Sequence, residues 1–338
     1  MFRRTAIGID LGTCNTLIYV AGKGITIREP SVVAVEKGTR KVMAVGTEAK
    51  RMLFKAPGSI NVIRPLRGGV IADLEATEKM VSYFIGKALP RYKFFKPLMV
   101  IGIPSTITEV ERRAVEECAY KVGARDVVVI PESLAAAIGA EIPINEPAGY
   151  MICDIGGGTT EISVISLGDM VVSSAIRTAG DDFDEAIIKY ARNELNLIIG
   201  GGAAERLKME IGNVFPDKNI EKTELKGTDS GSGLPKRMEI DSEQAREALK
   251  VPVFKIVDEI KSILSKTPPE LAADIVEHGI VMTGGGSILK GLPMLISRET
   301  GVSAILAPNP TDCVATGAGR YFERTRGIES SLSQFTSP

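Results

Sequence analysis

Two short glycine-rich turns carry the residue types that bind phosphate and metal ions. The first, DLGTCNT, covers residues 10–16, and the second, DIGGGTTE, covers residues 154–161. An apolar run precedes each turn and an alternating run follows it, which predicts a β-hairpin at both places. Glycine lets backbone N–H groups approach an anion closely, and Asp10 or Asp154 at the strand end can hold Mg²⁺ directly or through water.

A glycine turn between strands is also common where no ligand binds. The second occurrence of the same pattern argues against that simpler interpretation. The separation between the two turns is about the length of one domain. The sequence therefore predicts two similar lobes, each presenting a hairpin to one nucleotide in the cleft between them.

The amino-acid composition limits the classes of function that this chain could have. The chain has 338 residues, 44% of them hydrophobic and 25% charged, which is typical of a globular protein of two domains. A net charge of −1 and the absence of Trp give no argument for a nucleic-acid partner. The four cysteines form no CxxC pair and the single histidine cannot build a histidine metal site, so free thiols in a reducing cytosol are expected. No apolar run reaches the roughly 18 residues of a membrane span, and no signal peptide is recognisable.

A strand–helix–strand unit precedes the second turn. Residues 98–104 and 126–130 are apolar strands, and a capping box at Thr108 opens a helix between them. Such a unit implies a parallel pair of strands flanked by helices. The next helix opens directly from the strand end and places Glu132 in its first turn. Glu132 either compensates the helix dipole or orients a water molecule.

The pattern of elements predicts an α/β protein. A helix from position 241 or 242 to about 266 contains Pro252, which is expected to kink or restart it. The predicted organisation is a first lobe at 1–147 with a small inserted subdomain at about 33–65, a second lobe at 148–315 with an inserted subdomain at about 181–245, a helix at 316–329 returning to the first lobe, and a disordered tail at 330–338.

The loop RYKFFKP, residues 91–97, places Phe94 and Phe95 between lysines. Both rings could pack in the core at the start of the next strand. Alternatively they enter a membrane while the lysines meet anionic headgroups. Two Phe side chains contribute a few kcal/mol of burial at most.

Several motifs in order resemble the actin/sugar-kinase/heat-shock-chaperone ATPase superfamily. Within it, the chain is similar over nearly its whole length to the MreB family of bacterial actin homologues, the rod-shape-determining proteins. The resemblance implies an actin-like fold of two similar lobes, each with a mixed sheet flanked by helices and a smaller subdomain, and a nucleotide in the interlobe cleft. The motifs are DLGTCNT at 10–16, IPESLAAAIG at 130–139, DIGGGTTE at 154–161, AERLKMEIGN at 204–213 and TGGGSIL at 283–289, with further similar stretches at 29–33, 70–73 and 267–271.

The resemblance also implies a function. The expected protein binds ATP and Mg²⁺, hydrolyses ATP slowly, polymerises into membrane-associated filaments and organises cell-wall synthesis to set rod cell shape. Its expected partners are itself, the inner membrane surface and membrane-bound cell-shape and cell-wall synthesis proteins, with no nucleic acid. Its expected location is the cytoplasm, peripheral on the inner face of the cell membrane. Phe94 and Phe95 match the position of a membrane-insertion loop in some members.

Site residues follow from the same resemblance. Glu132 would position the hydrolytic water, together with Thr159. Asp10 and Asp154 would hold Mg²⁺ through its waters. Thr13, Cys14 and Asn15 would contact the γ- and β-phosphates from the first lobe and Gly157, Gly158 and Thr159 from the second, while 205–208 and 285–288 would enclose adenosine. The predicted nucleotide-binding residues are Asp10, Gly12, Thr13, Cys14, Asn15, Asp154, Gly156, Gly157, Gly158, Thr159, Gly180, Glu205, Arg206, Leu207, Lys208, Gly284, Gly285, Gly286, Ser287 and Ile288.

The chain departs from the family pattern at three places. Pro131 and Ser133 flank Glu132 where the family usually has Glu-Glu-Pro, which leaves the hydrolysis rate open. Cys14 replaces a usual alanine, and Asp182 adds a negative charge that the sequence does not explain.

An alternative function is a sugar or acyl kinase that uses the same ATP cleft. Such a kinase needs a base beside a second substrate. Asp73 and Glu109 are available, but neither lies in a recognisable substrate motif. A chaperone ATPase would need a peptide-binding domain, and no residues for one are expected after about position 325.

Overall fold

A computed structural model describes residues 5–53, 55–90 and 96–321. The Phe94-Phe95 loop and the predicted tail at 330–338 lie outside these ranges. Among the described helices, none is both long and apolar enough to cross a membrane.

The chain divides into two compact units. The first contains Met1–Pro147, Ile165–Met170 and Thr311–Pro338, and the second contains Ala148–Val164 and Val171–Pro310. The first break between the units falls between Pro147 and Ala148. The chain returns to the first unit at Thr311, and Ile165–Met170 also belongs to the first unit.

The first half of the chain builds one five-stranded sheet, a small three-stranded sheet, a two-stranded sheet of β7 and β8, and four helices within the described residues. The small sheet, β5-β4-β6, coincides with the predicted insertion at about 33–65 and packs α1 over its own apolar cluster. The elements are β1 (Ala6–Leu11), β2 (Asn15–Val20), β3 (Gly24–Pro30), β4 (Val33–Glu36), β5 (Val42–Val45), α1 (Thr47–Met52), β6 (Ile60–Ile63), β7 (Leu66–Arg67), β8 (Val70–Ile71), α2 (Leu74–Ala88), β9 (Leu98–Ile103), α3 (Glu109–Lys121), β10 (Asp126–Pro131) and α4 (Glu132–Gly139).

The second half repeats this plan with a different insertion, the three-stranded sheet β14-β15-β16. Short 3-10 turns cover Gly286–Ile288 and Pro310–Asp312, and residues 313–321 are helical. The elements are β11 (Tyr150–Ile155), β12 (Thr160–Ser166), β13 (Asp169–Ile176), α5 (Gly180–Glu194), β14 (Leu197–Ile198), α6 (Gly201–Ile211), β15 (Lys222–Asp229), β16 (Pro235–Asp241), α7 (Ser242–Lys266), α8 (Pro269–His278), β17 (Ile280–Thr283), α9 (Leu292–Thr300) and β18 (Ala304–Leu306).

The two large sheets have equivalent strand orders, β10-β9-β1-β2-β3 and β18-β17-β11-β12-β13. In the first, β9 runs parallel to β1 and β10, and in the second, β17 runs parallel to β11 and β18. Asp10 lies opposite Gly102 on β9, and Asp154 lies opposite Thr283 on β17. The prediction of two similar lobes is therefore confirmed, and the two aspartates occupy equivalent positions in them.

The central strand of the first sheet packs different side chains on its two faces, as alternation along a strand requires. Ile7 and Ile9 belong to the apolar core that also contains Phe84 of α2. Gly8 faces the opposite way, where a Cβ would lie 2.2 Å from the backbone nitrogen of Gly319. The helix at 313–321 can therefore approach this sheet only because residue 8 has no side chain.

Helix α7 runs from Ser242 to Lys266 as one element, so it does not restart at Pro252, and the alternative of a kink stays a prediction. Proline removes one backbone hydrogen bond from a helix interior. Pro252 is buried beside Val253, next to the apolar core, and this packing offsets the lost bond.

Candidate functional site

The first glycine turn connects β1 to β2. A Cβ on Gly12 would lie 2.6 Å from the carbonyl oxygen of Asn15, so only glycine fits there. Thr13 is buried, and its hydroxyl oxygen accepts a hydrogen bond from the backbone N–H of Gly69 at 3.0 Å. This bond uses a lone pair of the hydroxyl and not its proton, which suits Thr13 to donate to a phosphate oxygen.

Ser31 supports this turn from behind, although sequence reasoning assigned it no role. Its hydroxyl donates to the carbonyl oxygen of Gly12 at 2.6 Å, and its backbone N–H donates to that of Cys14 at 2.9 Å. Ser31 lies in the stretch 29–33 that resembles the family. No local sequence pattern predicts this contact, because Ser31 is separated along the chain from Gly12 and Cys14. These residues meet only when β3 pairs with β2.

Glu132 lies at the carboxyl end of β10, as the first residue of α4, and is only 8% exposed. A Cβ on Gly102 would lie 3.3 Å from Cγ of Glu132, and Gly102 is also the partner of Asp10 in the sheet. Asp10, Glu132 and the turn at 12–14 therefore meet at one edge of the first sheet, where the parallel strands end. Ligands of open α/β sheets bind outside such carboxyl ends.

The second glycine turn connects β11 to β12 and holds the start of α5. The N–H of Gly156 donates to the carbonyl oxygen of Thr159 at 2.9 Å, which closes the turn. The N–H groups of Gly180 and Asp181 donate to the carbonyl oxygens of Gly156 and Gly157 at 3.1 and 2.8 Å. The N-terminus of α5, with its partial positive charge, is therefore fixed next to the turn.

Asp182 has a structural role that the sequence did not reveal. Its carboxylate accepts a hydrogen bond from the backbone N–H of Ala179 at 3.0 Å, at the start of α5. This is one half of a capping box. The usual signature was absent because Ala179 stands where Ser, Thr or Asp is expected.

Asp154 is held by a single side chain within the second unit. The hydroxyl of Thr283 donates to its Oδ1 at 2.6 Å, and both residues are buried. Burial raises the pKa of Asp154 to about 6, and the hydrogen bond from Thr283 opposes this rise. The carboxylate is thus oriented by a neutral donor, and among the described residues no cationic side chain contributes to the pKa of Asp154.

A third glycine turn packs against the second one. Gly284 has a φ of +82°, and a Cβ there would lie 2.3 Å from the carbonyl oxygen of Ile155. A Cβ on Gly286 would lie 2.5 Å from Cγ2 of Ile155 and 3.2 Å from the carbonyl oxygen of Gly156. Gly285 has open space around it, and Ile288 is 51% exposed, so both can meet a ligand. A 3-10 turn, Gly286–Ile288, follows this glycine turn, and α9 begins at Leu292.

The predicted adenosine contacts on α6 are not equivalent. Lys208 donates to the carbonyl oxygen of Gly180 at 3.0 Å and pairs with Asp184 at 2.8 Å, so it fixes the start of α5. The side chain of Leu207 is 1% exposed and packs in the apolar core, so the predicted contact of this residue with the nucleotide would have to come from its backbone. Helical spacing explains the difference, because Ala204, Leu207 and Ile211 share the buried face. Ser287 is likewise buried, with its hydroxyl donated to Gly284.

The side chains that are available as metal ligands determine what kind of metal site is possible. Within residues 5–53, 55–90 and 96–321 no group of three or more His, Cys, Asp or Glu side chains could hold a metal ion. Mg²⁺ usually keeps several waters and takes one or two carboxylates together with substrate phosphates. A single buried aspartate beside a phosphate-type turn fits that arrangement, and a cage built of protein ligands does not.

Comparison with known proteins places these features in context. The sequence matches the family described as MreB/Mbl protein over residues 4–330. It is 50% identical over 319 residues to the cell shape-determining protein Mbl of Bacillus subtilis, covering 94% of this chain and 96% of that protein. It is 46% identical over 323 residues to the cell shape-determining protein MreB of Escherichia coli, covering 94% and 93%. The crystal structure of MreB5 of Spiroplasma citri bound to AMPPNP is similar in fold, with a TM-score of 0.92, 38% identity and coverage of 98% of this chain and 100% of that chain.

Proposed function

Because the chain belongs to the MreB/Mbl family of cell shape-determining proteins, we propose that it is a slow ATPase that polymerises into membrane-associated filaments and organises cell-wall synthesis. The observation that carries the proposal is the duplicated Asp-Gly-Thr turn, found at equivalent positions of two equivalent sheets. The AMPPNP-bound state of the similar MreB5 supports ATP as the nucleotide.

Phosphate binding is assigned to backbone and hydroxyl donors. In the first unit, Thr13, Cys14 and Asn15 bind the γ- and β-phosphates. In the second, Gly157, Gly158 and Thr159 do so, beside the N-terminus of α5. Donors of this kind need no change of protonation, and their fixed geometry favours an anion at low cost in reorganisation.

Glu132 is assigned to the hydrolytic water, with Thr159 as a second polar group. Its position in the first turn of α4, directly after the edge strand β10, restricts its side chain more than a loop would. Transfer of a phosphoryl group to water depends on positioning and charge neutralisation, with little covalent chemistry for the protein to perform. A site that orients water with one carboxylate is therefore sufficient for the proposed hydrolysis.

Asp10 and Asp154 are assigned to Mg²⁺ through its waters. The ion, when bound, neutralises phosphate charge. Each aspartate is the penultimate residue of the first strand of its hairpin, two positions before the first glycine of the turn. The hydrogen bond from Thr283 keeps Asp154 in one orientation for this task.

Membrane association is assigned to Phe94 and Phe95, which lie outside the described residues. Two aromatic side chains among Arg91, Lys93 and Lys96 combine apolar insertion with attraction to anionic lipid. Lipid binding by this loop is therefore expected to depend on anionic headgroups and to weaken as salt is added.

Co-sedimentation with Mg-ATP and anionic liposomes tests filaments and membrane binding together. The wild-type protein should sediment as filaments without liposomes and should bind liposomes when they are added. Phe94→Ser/Phe95→Ser should form filaments but should not bind liposomes. Val110→Ser/Val276→Ser removes two exposed apolar side chains elsewhere and serves as the matched control. A wild type that stays monomeric in every nucleotide state contradicts the filament proposal.

Phosphate release tests the ATPase assignment. Glu132→Gln should lower the turnover number about a hundredfold while ATP still binds, because the amide does not accept the water's proton. Glu141→Gln changes an exposed glutamate just after the same helix, paired with Arg320, and should leave turnover unchanged. ATP consumption that appears only when a sugar or acyl acceptor is added would favour the kinase alternative instead.

A further inference from the structure

Ser31 contacts both outer carbonyl groups of the first glycine turn, residues 12–14. Its hydroxyl donates to the carbonyl oxygen of Gly12 at 2.6 Å, and its N–H donates to the carbonyl oxygen of Cys14 at 2.9 Å. The residue is completely buried, so water does not compete for these bonds. The carbonyl groups of Gly12 and Cys14 are thus both directed toward Ser31, one toward its hydroxyl and the other toward its backbone N–H.

The direction of those carbonyls decides the direction of two N–H groups. In a trans peptide the N–H points opposite to the C=O. The peptide groups that Ser31 engages carry the N–H of Thr13 and of Asn15, which therefore point away from Ser31. Several N–H groups on one side of a turn form a concavity for an anion. Ser31 thus determines which side of the turn can receive phosphate.

A second hydroxyl polarises Ser31. Oγ1 of Thr16 lies 2.9 Å from Oγ of Ser31, and both residues are completely buried. Ser31 has one hydroxyl proton and directs it to Gly12, so Thr16 is the donor in the pair. The resulting relay runs from the Thr16 hydroxyl through the Ser31 hydroxyl to the Gly12 carbonyl. Hydrogen bonds in such a chain strengthen one another.

Ser31 is itself held in place by the residue two positions earlier. The carboxylate of Glu29 accepts hydrogen bonds from the N–H and the hydroxyl of Thr47 at 2.9 and 2.6 Å, at the start of α1. Its other oxygen accepts from Nζ of Lys87 on α2 at 2.7 Å. The stretch 29–31 is therefore anchored to two helices on one side and to the glycine turn on the other. Rigid support of this kind is what a positioning residue requires.

We propose that Ser31 is a positioning residue for nucleotide phosphates, which it never touches, and that it acts by orienting the turn at 12–14. The inference rests on the proposed ATP binding. It predicts that loss of the Ser31 hydroxyl weakens binding of nucleotides that carry β- and γ-phosphates and leaves binding of adenosine unchanged. A buried hydroxyl with only a structural role would lower stability without this selectivity.

The test compares dissociation constants of ATP, ADP and adenosine for Ser31→Ala and for a matched control. Thr77→Val is the control, because Thr77 is also completely buried and its hydroxyl donates to a backbone oxygen, that of Asp73 at 2.8 Å, away from the turn. Loss of one hydrogen bond corresponds to a change of about tenfold in affinity. Ser31→Ala should bind ATP and ADP about tenfold more weakly and adenosine normally, and Thr77→Val should bind all three normally.

Two further variants keep the test decisive if Ser31→Ala folds poorly. Thr16→Val retains the bond from Ser31 to Gly12 and removes the first donor of the relay, so it should show a smaller loss with the same selectivity. Ser31→Thr restores a hydroxyl and should recover most of the ATP affinity lost in Ser31→Ala.

Three outcomes overturn the proposal. Unchanged ATP affinity in Ser31→Ala shows that the turn needs no such support, and an equal loss for adenosine shows a general structural effect. A wild type that binds ATP no better than adenosine removes the phosphate site itself. That last result is visible without any variant, so failure of the proposed function is distinguished from failure of the inference about Ser31.

Discussion

Replacement of Asp154 by asparagine should make the nucleotide-free protein more stable at neutral pH. Burial raises the pKa of Asp154 from 3.8 to about 6 in the folded state. For a group whose folded pKa is raised, stability is complete below the unfolded pKa and is lost as pH rises through the folded pKa. Asparagine resembles the neutral acid and can still accept the hydrogen bond from Thr283, so it avoids this loss.

The size of the effect follows from the pKa difference. A displacement of about two pKa units corresponds to about 3 kcal/mol, at about 1.36 kcal/mol per unit. With pKa values of 3.8 and about 6, the carboxylate costs about 1.5 kcal/mol at pH 5.0 and about 3 kcal/mol at pH 7.5. The advantage of Asp154→Asn should therefore grow by about 1.5 kcal/mol between these two pH values. Any cost of burying the new amide is independent of pH and cancels in that difference.

Urea unfolding at pH 5.0 and pH 7.5, in chelator and without nucleotide, measures the two free energies of unfolding. Asp258→Asn, at an exposed position of α7 in the same unit, controls for the removal of one carboxylate from the chain. A difference between Asp154→Asn and wild type that is the same at both pH values would refute the reasoning. The same variant should bind Mg-ATP more weakly, which separates its stability from its function.

Other predictions concern the glycine turns and the thiols. Gly284→Ala should destabilise the protein by about 2 kcal/mol or more in urea unfolding, because φ is +82° and a Cβ would lie 2.3 Å from a backbone oxygen of β11. Gly285→Ala is the control and should change the free energy of unfolding by less than about 1 kcal/mol, because a Cβ there would lie in open space. Equal effects of the two substitutions would contradict this reasoning. Iodoacetamide should modify the partly exposed Cys14 first, with protection by ATP, as followed by mass spectrometry. Cys118 and Cys153 should react only after unfolding, because both are buried and burial raises the pKa of Cys118 to about 12; rapid labelling of either in the folded protein would show that their burial is wrong.

Local patterns were enough to place the elements that carry the site. The two hairpins and the capping box between Thr108 and Glu111 depend on residues a few positions apart, so they can be recognised from a single sequence. The spacing of apolar residues on α6 indicates that the side chain of Leu207 is buried, which the family motif alone does not reveal. Asp182 was missed because its capping partner is a backbone group of alanine.

By itself the sequence determined the α/β class, the duplicated Asp-Gly-Thr turns and the family, because each of these can be recognised from residues that lie close together along the chain. Tertiary structure alone decided which groups support those turns. Ser31 reaches Gly12 and Thr283 reaches Asp154 only after strands distant in the chain have paired. The raised pKa of Asp154 has the same origin, since dehydration of a carboxylate depends on everything packed around it. Spacing along the chain carries no record of such contacts, because strand pairing and burial arise from the whole fold.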